Sequence, residues 1–236
     1  MIPKVIHYCW FGRNPLPESA LKCIDSWRKY LPDYEIKEWN EDNFDVNIIP
    51  YSRDAYEAKK YAFVSDYARF WILYHYGGIY FDTDVEVIKS FDDIVEKGAF
   101  MGLEIDGTKR GTTLAIAPGL GLGAEMGHPV YAIILDSFQS LSYYNEDGTR
   151  NSFTMIPLVT SLFINQGLVP NGKMQNIQGV NLYPQRYFNP YESATGRLHI
   201  TPDTYSIHWY SATWMSPQPK WLVNMKRFVR RLISVF

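Results

Sequence analysis

The sequence has only two cysteines in 236 residues, Cys9 and Cys23. Cys9 falls in an apolar strand pattern and Cys23 in a helical one. That excludes a disulfide framework or a cysteine-built zinc site, and buried free thiols in a reducing compartment are expected. No apolar run approaches the ~20 residues that span a bilayer. No secretory leader pattern precedes the strand pattern that opens the sequence, so a cytoplasmic location is expected. An excess of one charge is also missing: 23 basic and 25 acidic residues leave a net charge of −2. Acids and bases are mixed throughout, which excludes the basic footprint of a bulk nucleic-acid binder. No repeat, composition break or long linker divides the chain, so one domain with a sizeable core is expected over residues 1–219.

Aromatic residues are abundant, at 16% with seven Trp and eighteen Tyr. Their flat apolar faces fill cores and also stack on sugars and bases. Apolar alternation predicts strands over 5–11, 34–39, 79–87, 99–103 and 113–117. Helical spacing predicts helices over 19–30 (with Leu21, Ile24, Trp27 and Tyr30 inward), 54–61, 66–76, 128–141 and 156–165. Strands alternating with helices imply an α/β fold with a largely parallel central sheet. Gly119, Gly121, Gly123 and Gly127 do not follow a strand-to-helix phosphate fingerprint, and this stretch reads as flexible.

The most informative segment is Gly77-Gly78-Ile79-Tyr80-Phe81-Asp82-Thr83-Asp84. On a strand, Asp82 and Asp84 point the same way, and Tyr80 shares their face. Like charges on one face need a counter-charge, and a hard divalent cation that also bridges to a diphosphate is the simplest. Two solvated acids at a strand end is the bland alternative. The preceding segment reads as a buried helix with Ser65 as N-cap and Gly77 as its left-handed stop. Asp66 and Arg69 share one face of it, either as an internal ion pair or as a polar end facing a ligand.

The string Ser65-Asp66-Tyr67-Ala68-Arg69 followed by Tyr74-His75-Tyr76-Gly77-Gly78-Ile79-Tyr80-Phe81-Asp82-Thr83-Asp84 resembles the family of glycosyltransferases with a DXD sugar-binding region. That family includes yeast initiating α-1,6-mannosyltransferases, bacterial capsule and lipopolysaccharide glycosyltransferases and, distantly, clostridial glucosylating toxins. The opening Ile2–Gly12 and the closing His208-Trp209-Tyr210-Ser211-Ala212-Thr213-Trp214 resemble it too. The resemblance implies a GT-A-type single nucleotide-binding domain. It implies a metal-dependent, retaining hexosyl transfer from a nucleotide-sugar, UDP-linked by analogy, to a cell-surface glycan or glycolipid.

The resemblance also assigns roles. Asp84, Asp82 and His208 would hold Mn²⁺ or Mg²⁺, His208 being otherwise a packed histidine beside Trp209. Asp66 and Arg69 would bind the hydroxyls of the donor sugar, and Asp82, Asp84 and Arg69 would form the catalytic set. Tyr8 and Trp10 lie where the family places the nucleoside, Trp10 being either a stacking residue or core. Tyr80 would touch ribose or support Arg69, and Ser211 and Trp214 would contact the diphosphate. Glu104, Asp106 and Glu125 are acids in loops, and none has the context of a nucleophile, so a front-face route is preferred.

Two rival readings are a non-catalytic nucleotide-sugar or carbohydrate module and a Mg²⁺-dependent phosphohydrolase. The first does not need two acids and a distant His. The second needs an acid at the end of the first strand, which here ends Tyr-Cys-Trp-Phe-Gly. Residues 220–236 read as a basic amphipathic helix with Leu222, Met225, Val229 and Leu232 on one stripe and Lys226, Arg227, Arg230 and Arg231 beside it. Such a helix either docks on the domain or attaches it peripherally to an anionic inner membrane face.

Overall fold

The computed structural model describes residues 1–151 and 154–211. Its first half contains β1 (Val5–Cys9), α1 (Glu18–Tyr30), β2 (Glu35–Trp39), α2 (Pro50–Glu57), α3 (Tyr61–Tyr76), β3 (Gly78–Tyr80), β4 (Val85–Val87), α4 (Asp92–Val95) and β5 (Phe100–Ile105). The second half contains β6 (Ala115–Ile116), a 3-10 turn over Pro118–Leu120, β7 (Leu122–Ala124), α5 (Pro129–Gln139) and α6 (Met155–Asn165). It continues with β8 (Gln175–Ile177), β9 (Val180–Tyr183), α7 (Gln185–Phe188), β10 (Tyr191–Glu192), β11 (Arg197–Leu198) and β12 (Ser206–His208).

The main sheet runs β2-β1-β3-β7-β5-β9-β8, with β6 beside β5. β2, β1 and β3 are parallel. β7 runs against both of its neighbours, which leaves β5 and β9 pointing the same way as the first three. The fold is therefore the expected α/β type with a mainly parallel sheet, interrupted by one reversed central strand. Among the described residues no helix is long and apolar enough to cross a membrane.

α3 is the spine of the site. It has no side-chain N-cap, a feature usually worth ~1 kcal/mol. Its stability comes instead from burial: Phe70, Ile72 and Leu73 are fully enclosed, and each such side chain contributes about 1.5–3 kcal/mol. The helix starts at Tyr61, earlier than Ser65, because Phe63 and Val64 are also buried and extend its apolar face. Ser65 sits inside it, its hydroxyl donating to the Tyr61 carbonyl. α3 ends at Gly77, whose φ of +65° and N–H to the Leu73 carbonyl make the expected stop.

A buried relay fixes where β3 begins. The Trp39 indole donates to His7 Nδ1 at 3.0 Å, so His7 donates through Nε2 to the Gly77 carbonyl at 2.9 Å. Burial pushes the His7 pKa down to about 4, so the ring stays neutral in this role. Gly78 must lack a side chain, since a Cβ there would lie 2.7 Å from the Val5 carbonyl oxygen and 2.9 Å from His7 Nε2.

Several expectations are corrected. The stripe of α1 is Ala20, Cys23, Ile24 and Trp27, with Leu21 exposed. α2 begins at Pro50, which fits the first helical position because its missing N–H needs no partner there. The glycine-rich stretch is not flexible: Pro118–Ala124 is buried and supplies the central strand β7. Glycine is required there because a Cβ on Gly123 would sit 2.5 Å from the Phe100 ring. Both cysteines are buried and free, as expected.

Candidate active site

The expected strand over 79–87 is broken at the acids. β3 ends at Tyr80, and β4 leaves the main sheet to pair with β12. Between them Val85 N–H donates to the Asp82 carbonyl at 3.0 Å, closing a tight turn. Asp82 and Asp84 are thus brought together by a turn at a strand end and not by the alternation of a pleat. In the β4–β12 ribbon His208 lies opposite Val85, beside Asp84. One ligand atom each from Asp82, Asp84 and His208 all lie within 4.8 Å of one another.

Asp84 and His208 face each other directly, Oδ1 to Nε2 at 3.0 Å. The other Asp84 oxygen accepts the Ser211 N–H at 2.7 Å. Burial pushes the Asp84 carboxyl up, but His208 and the Ser211 N–H outweigh it and hold it below its ordinary value. Burial works against a charge on His208, yet the contact with Asp84 wins and raises it. His208 Nδ1 is buried with no hydrogen-bond partner among the described residues, so Nε2 is the nitrogen turned toward the acids.

Asp82 is the most open of these side chains, at 30% exposed. Behind it stands Arg69, only 7% exposed, with a guanidinium nitrogen 3.1 Å from Asp66 and 3.4 Å from Asp82. Its Nε donates to the Ser65 carbonyl, and the group lies over the Tyr80 ring at 5.1 Å. The Tyr80 hydroxyl donates to Asp82 Oδ1 at 3.1 Å. Burial opposes the charge of Arg69, but Asp82, Tyr80 and Asp66 together hold its pKa above the ordinary value. Burial raises Asp66 to about 6, Arg69 opposing this and Asp82 adding to it. Gly119 closes the floor: a Cβ there would lie 2.0 Å from Asp82 Oδ2. No short-range signal marked Gly119; the contact exists only because β7 is inserted beside β3.

A second group lies on the far side of His208. The Tyr210 ring stands 4.2 Å from the His208 ring, edge-on. Its hydroxyl donates to Glu104 at 2.9 Å and accepts from the Asn189 amide at 2.8 Å. Tyr210 has φ +50°, a conformation that a non-glycine residue adopts at a cost, found often at functional sites. Sequence reading singled out neither Tyr210 nor Asn189. A cavity of about 290 Å³ opens here, lined in part by Glu104 and Tyr210.

The remaining sequence candidates are placed as follows. Tyr8 is buried, its hydroxyl donating to Glu38 at 2.6 Å and its ring edge-on to Trp27. Trp10, half-buried just beyond β1, donates its indole N–H to the Asn14 carbonyl. Trp214 and residues 220–236 lie outside the described residues. Asp106 accepts the Gln185 N–H at 2.7 Å. Glu125 follows β7 at the end paired with Gly78, the opposite end of β3 from Asp82.

The donor set of two carboxylates and one imidazole suits a divalent cation of the Mg²⁺ or Mn²⁺ type. The proximity of the three ligand atoms and the solvent opening at Asp82 fit one bound ion with room for further ligands.

An α/β sheet thus carries an acidic pair at the end of a central strand, closed by a histidine from the last ribbon, as a candidate cation site. Residues 17–101 match the family described as "Glycosyltransferase sugar-binding region containing DXD motif". Those residues are thus similar to the sugar-binding region of that glycosyltransferase family. The match runs from α1 past the acids to the start of β5, while the expected outer segments at 2–12 and 208–214 lie beyond it.

Inositol phosphoceramide mannosyltransferase 1 of Schizosaccharomyces pombe is 31% identical over 111 residues, 42% of this chain and 33% of that protein. Mannosyl phosphorylinositol ceramide synthase CSH1 of Saccharomyces cerevisiae is 25% identical over 240 residues, 98% of this chain and 56% of that protein. The chain thus spans between a third and just over half of the length of these curated relatives. Among solved structures, the galactosyltransferase LgtC in complex with donor and acceptor sugar analogs aligns at a TM-score of 0.46 and 15% identity, covering 98% of this chain and 95% of that one.

Proposed function

We propose that this protein is a metal-dependent, retaining glycosyltransferase that moves a hexose from a nucleoside diphosphate sugar to a glycan or glycolipid acceptor. The observation that carries the reading is the convergence of Asp82, Asp84 and His208 within 4.8 Å, backed by the buried Arg69. Asp84 and His208, with Asp82, would hold the divalent cation, which neutralises charge developing on the leaving diphosphate.

The chain's own residues do the positioning. The β4–β12 ribbon holds His208 against Asp84, and the Ser211 N–H fixes the second Asp84 oxygen. Arg69 and Tyr80 orient Asp82, so its open edge presents to the sugar or ribose hydroxyls. Asp66 neutralises the other side of Arg69 and can accept a hydroxyl of the donor sugar. In the reaction the bond from the anomeric carbon to the diphosphate oxygen breaks, and a bond from that carbon to the acceptor oxygen forms. The acceptor proton passes to the leaving phosphate oxygen on the same face. A front-face route is favoured because Glu104 is engaged by Tyr210, Asp106 by the Gln185 N–H, and Glu125 follows the far end of β7.

The curated relatives are named for mannosyl transfer to inositol phosphoceramide, which favours a hexose donor and a glycolipid acceptor for this chain. A location on the inner membrane face, through residues 220–236, belongs to the same reading. The test is incubation with a panel of UDP-hexoses and GDP-mannose plus Mn²⁺. Slow release of UDP or GDP from one of them supports the proposal. Nucleotide binding without turnover of any donor, with or without acceptor, would favour a binding module. Phosphate release from a simple ester would favour a hydrolase.

A further inference from the structure

A histidine that ligates a metal is ordinarily oriented through its second ring nitrogen, which donates to a carboxylate, a carbonyl or water. His208 has no such partner among the described residues. Its Nδ1 is buried and unbonded, while Nε2 faces Asp84 at 3.0 Å. A single polar contact leaves the plane of the imidazole to be set by packing. The ring packed against it is that of Tyr210, with centroids 4.2 Å apart and planes at 74°. Edge-to-face pairs sit roughly 4.5–7 Å apart, so this contact is a tight one.

Tyr210 is tied down at its far end. Its hydroxyl donates to Glu104, on β5, at 2.9 Å and accepts from the amide of Asn189, just after α7, at 2.8 Å. Asn189 is only 3% exposed, and the same amide nitrogen also donates to the Glu104 carbonyl at 3.2 Å. Turning the amide over would set its oxygen against that carbonyl, so the direction of donation is fixed. Two elements outside the β4–β12 ribbon thus hold the Tyr210 hydroxyl as a clamp.

The backbone carries the same bias. Trp209 N–H donates to the Asp84 carbonyl at 3.0 Å, and φ +50° at Tyr210 then turns the chain so that Ser211 N–H reaches Asp84 Oδ2 at 2.7 Å. Glycine takes such a conformation freely and tyrosine takes it at a cost. A tyrosine at this turn points to a use for its side chain.

We infer that Tyr210 is the positioning residue for His208. Its ring fixes the plane of the imidazole, and the clamp from Glu104 and Asn189 fixes the ring. The role rests on the cation reading of Asp82, Asp84 and His208, whereas the clamp rests on the contacts alone. Tyr210 acts through His208: a ligand held in place beforehand loses less freedom when an ion binds, which raises affinity.

NMR of the metal-free full chain with labelled histidine reads the ring directly, the His208 signals being those missing from His208→Ala. The wild type should give one sharp set. Tyr210→Phe keeps the ring and removes the clamp, and should broaden or split that set; Tyr210→Leu should do so further. Unchanged His208 signals in both variants overturn the inference.

Calorimetry with Mn²⁺ alone gives the second readout. Tyr210→Phe should bind about fivefold more weakly than wild type, less than the usual loss for a ligand's orienting partner because the Asp84 contact remains. Asn189→Ala, which changes no charge, should repeat that loss. In a His208→Ala background Tyr210→Phe should cost nothing further, since the residue it acts through is gone. Equal weakening with and without His208 would make Tyr210 a general packing residue and overturn the inference. Failure of the cation reading is separately visible: the wild type would bind no Mn²⁺ while the His208 signals still broadened in Tyr210→Phe.

Discussion

Gly119 packs directly against the carboxylate of Asp82, so closely that a Cβ on Gly119 would fall 2.0 Å from Oδ2. Asp82 cannot swing away freely, because Arg69 and Tyr80 hold its other oxygen. Gly119→Ala should therefore displace the acid while leaving the sheet intact. We expect donor hydrolysis to fall at least tenfold with a modest drop in Tm. Unchanged hydrolysis would mean that the position of Asp82 does not matter for turnover.

Arg69 is the counter-charge for two acids in a poorly solvated place. Removing one partner of such a cluster leaves uncompensated charge, and costs about 3–5 kcal/mol in comparable buried pairs. Arg69→Ala should lower stability by roughly that amount, and the surviving folded protein should use donor poorly. Arg69→Lys should recover part of the stability and little of the activity, since an ammonium cannot serve Asp66, Asp82 and the Ser65 carbonyl with one fork. Melting and kinetics measured on the same samples separate the roles. A stability loss with normal catalytic efficiency would make Arg69 purely structural.

Asp66 gives a pH dependence with a definite sign. Its folded pKa is raised by burial to about 6, above the ~3.9 of an unfolded aspartate. Between those values the folded state binds the extra proton, so this group's contribution to stability grows as pH falls from 7 toward 4. The wild type should gain on the order of 2 kcal/mol relative to Asp66→Asn over that range. Denaturant unfolding of both proteins at pH 7 and pH 4.5 reads the difference. A gap that is flat with pH contradicts the raised value.

Much of this was legible in the sequence, for reasons that can be traced. The spacing Asp82-Thr83-Asp84 behind a Gly77-Gly78 break marked the strand end, and the Asp66–Arg69 spacing placed both on one helix face. The break of the strand at Asp82 was not legible, because Val85 and Val87 continue the apolar alternation into a different sheet. The roles of Gly119 and Tyr210 were not legible for a related reason. Gly119 matters through strand pairing with β7, and Tyr210 through a ribbon joining residues more than a hundred apart. Tyr8 read as a strand-end aromatic, but its side chain turns to the α1 side, against Trp27.

The basic segment after Pro219 carries a separable prediction. Lys226, Arg227, Arg230 and Arg231 would contribute about 1 kcal/mol each near an anionic surface, a term that salt screens. Full-length protein should sediment with anionic vesicles at low salt and lose this when residues after Pro219 are removed. Absence of sedimentation at low salt would reject peripheral attachment through this segment.

The central claim is that Asp82, Asp84 and His208 form one metal site on which donor cleavage depends. Mn²⁺ titration by calorimetry, in parallel with nucleotide release from the active donor, tests it most directly. The account predicts one Mn²⁺ per chain in the wild type. It predicts binding weakened at least tenfold in both Asp84→Asn and His208→Ala, and donor cleavage abolished in Asp84→Asn and in excess chelator. Undiminished cleavage in excess chelator, or Mn²⁺ binding unchanged in both variants, would contradict it.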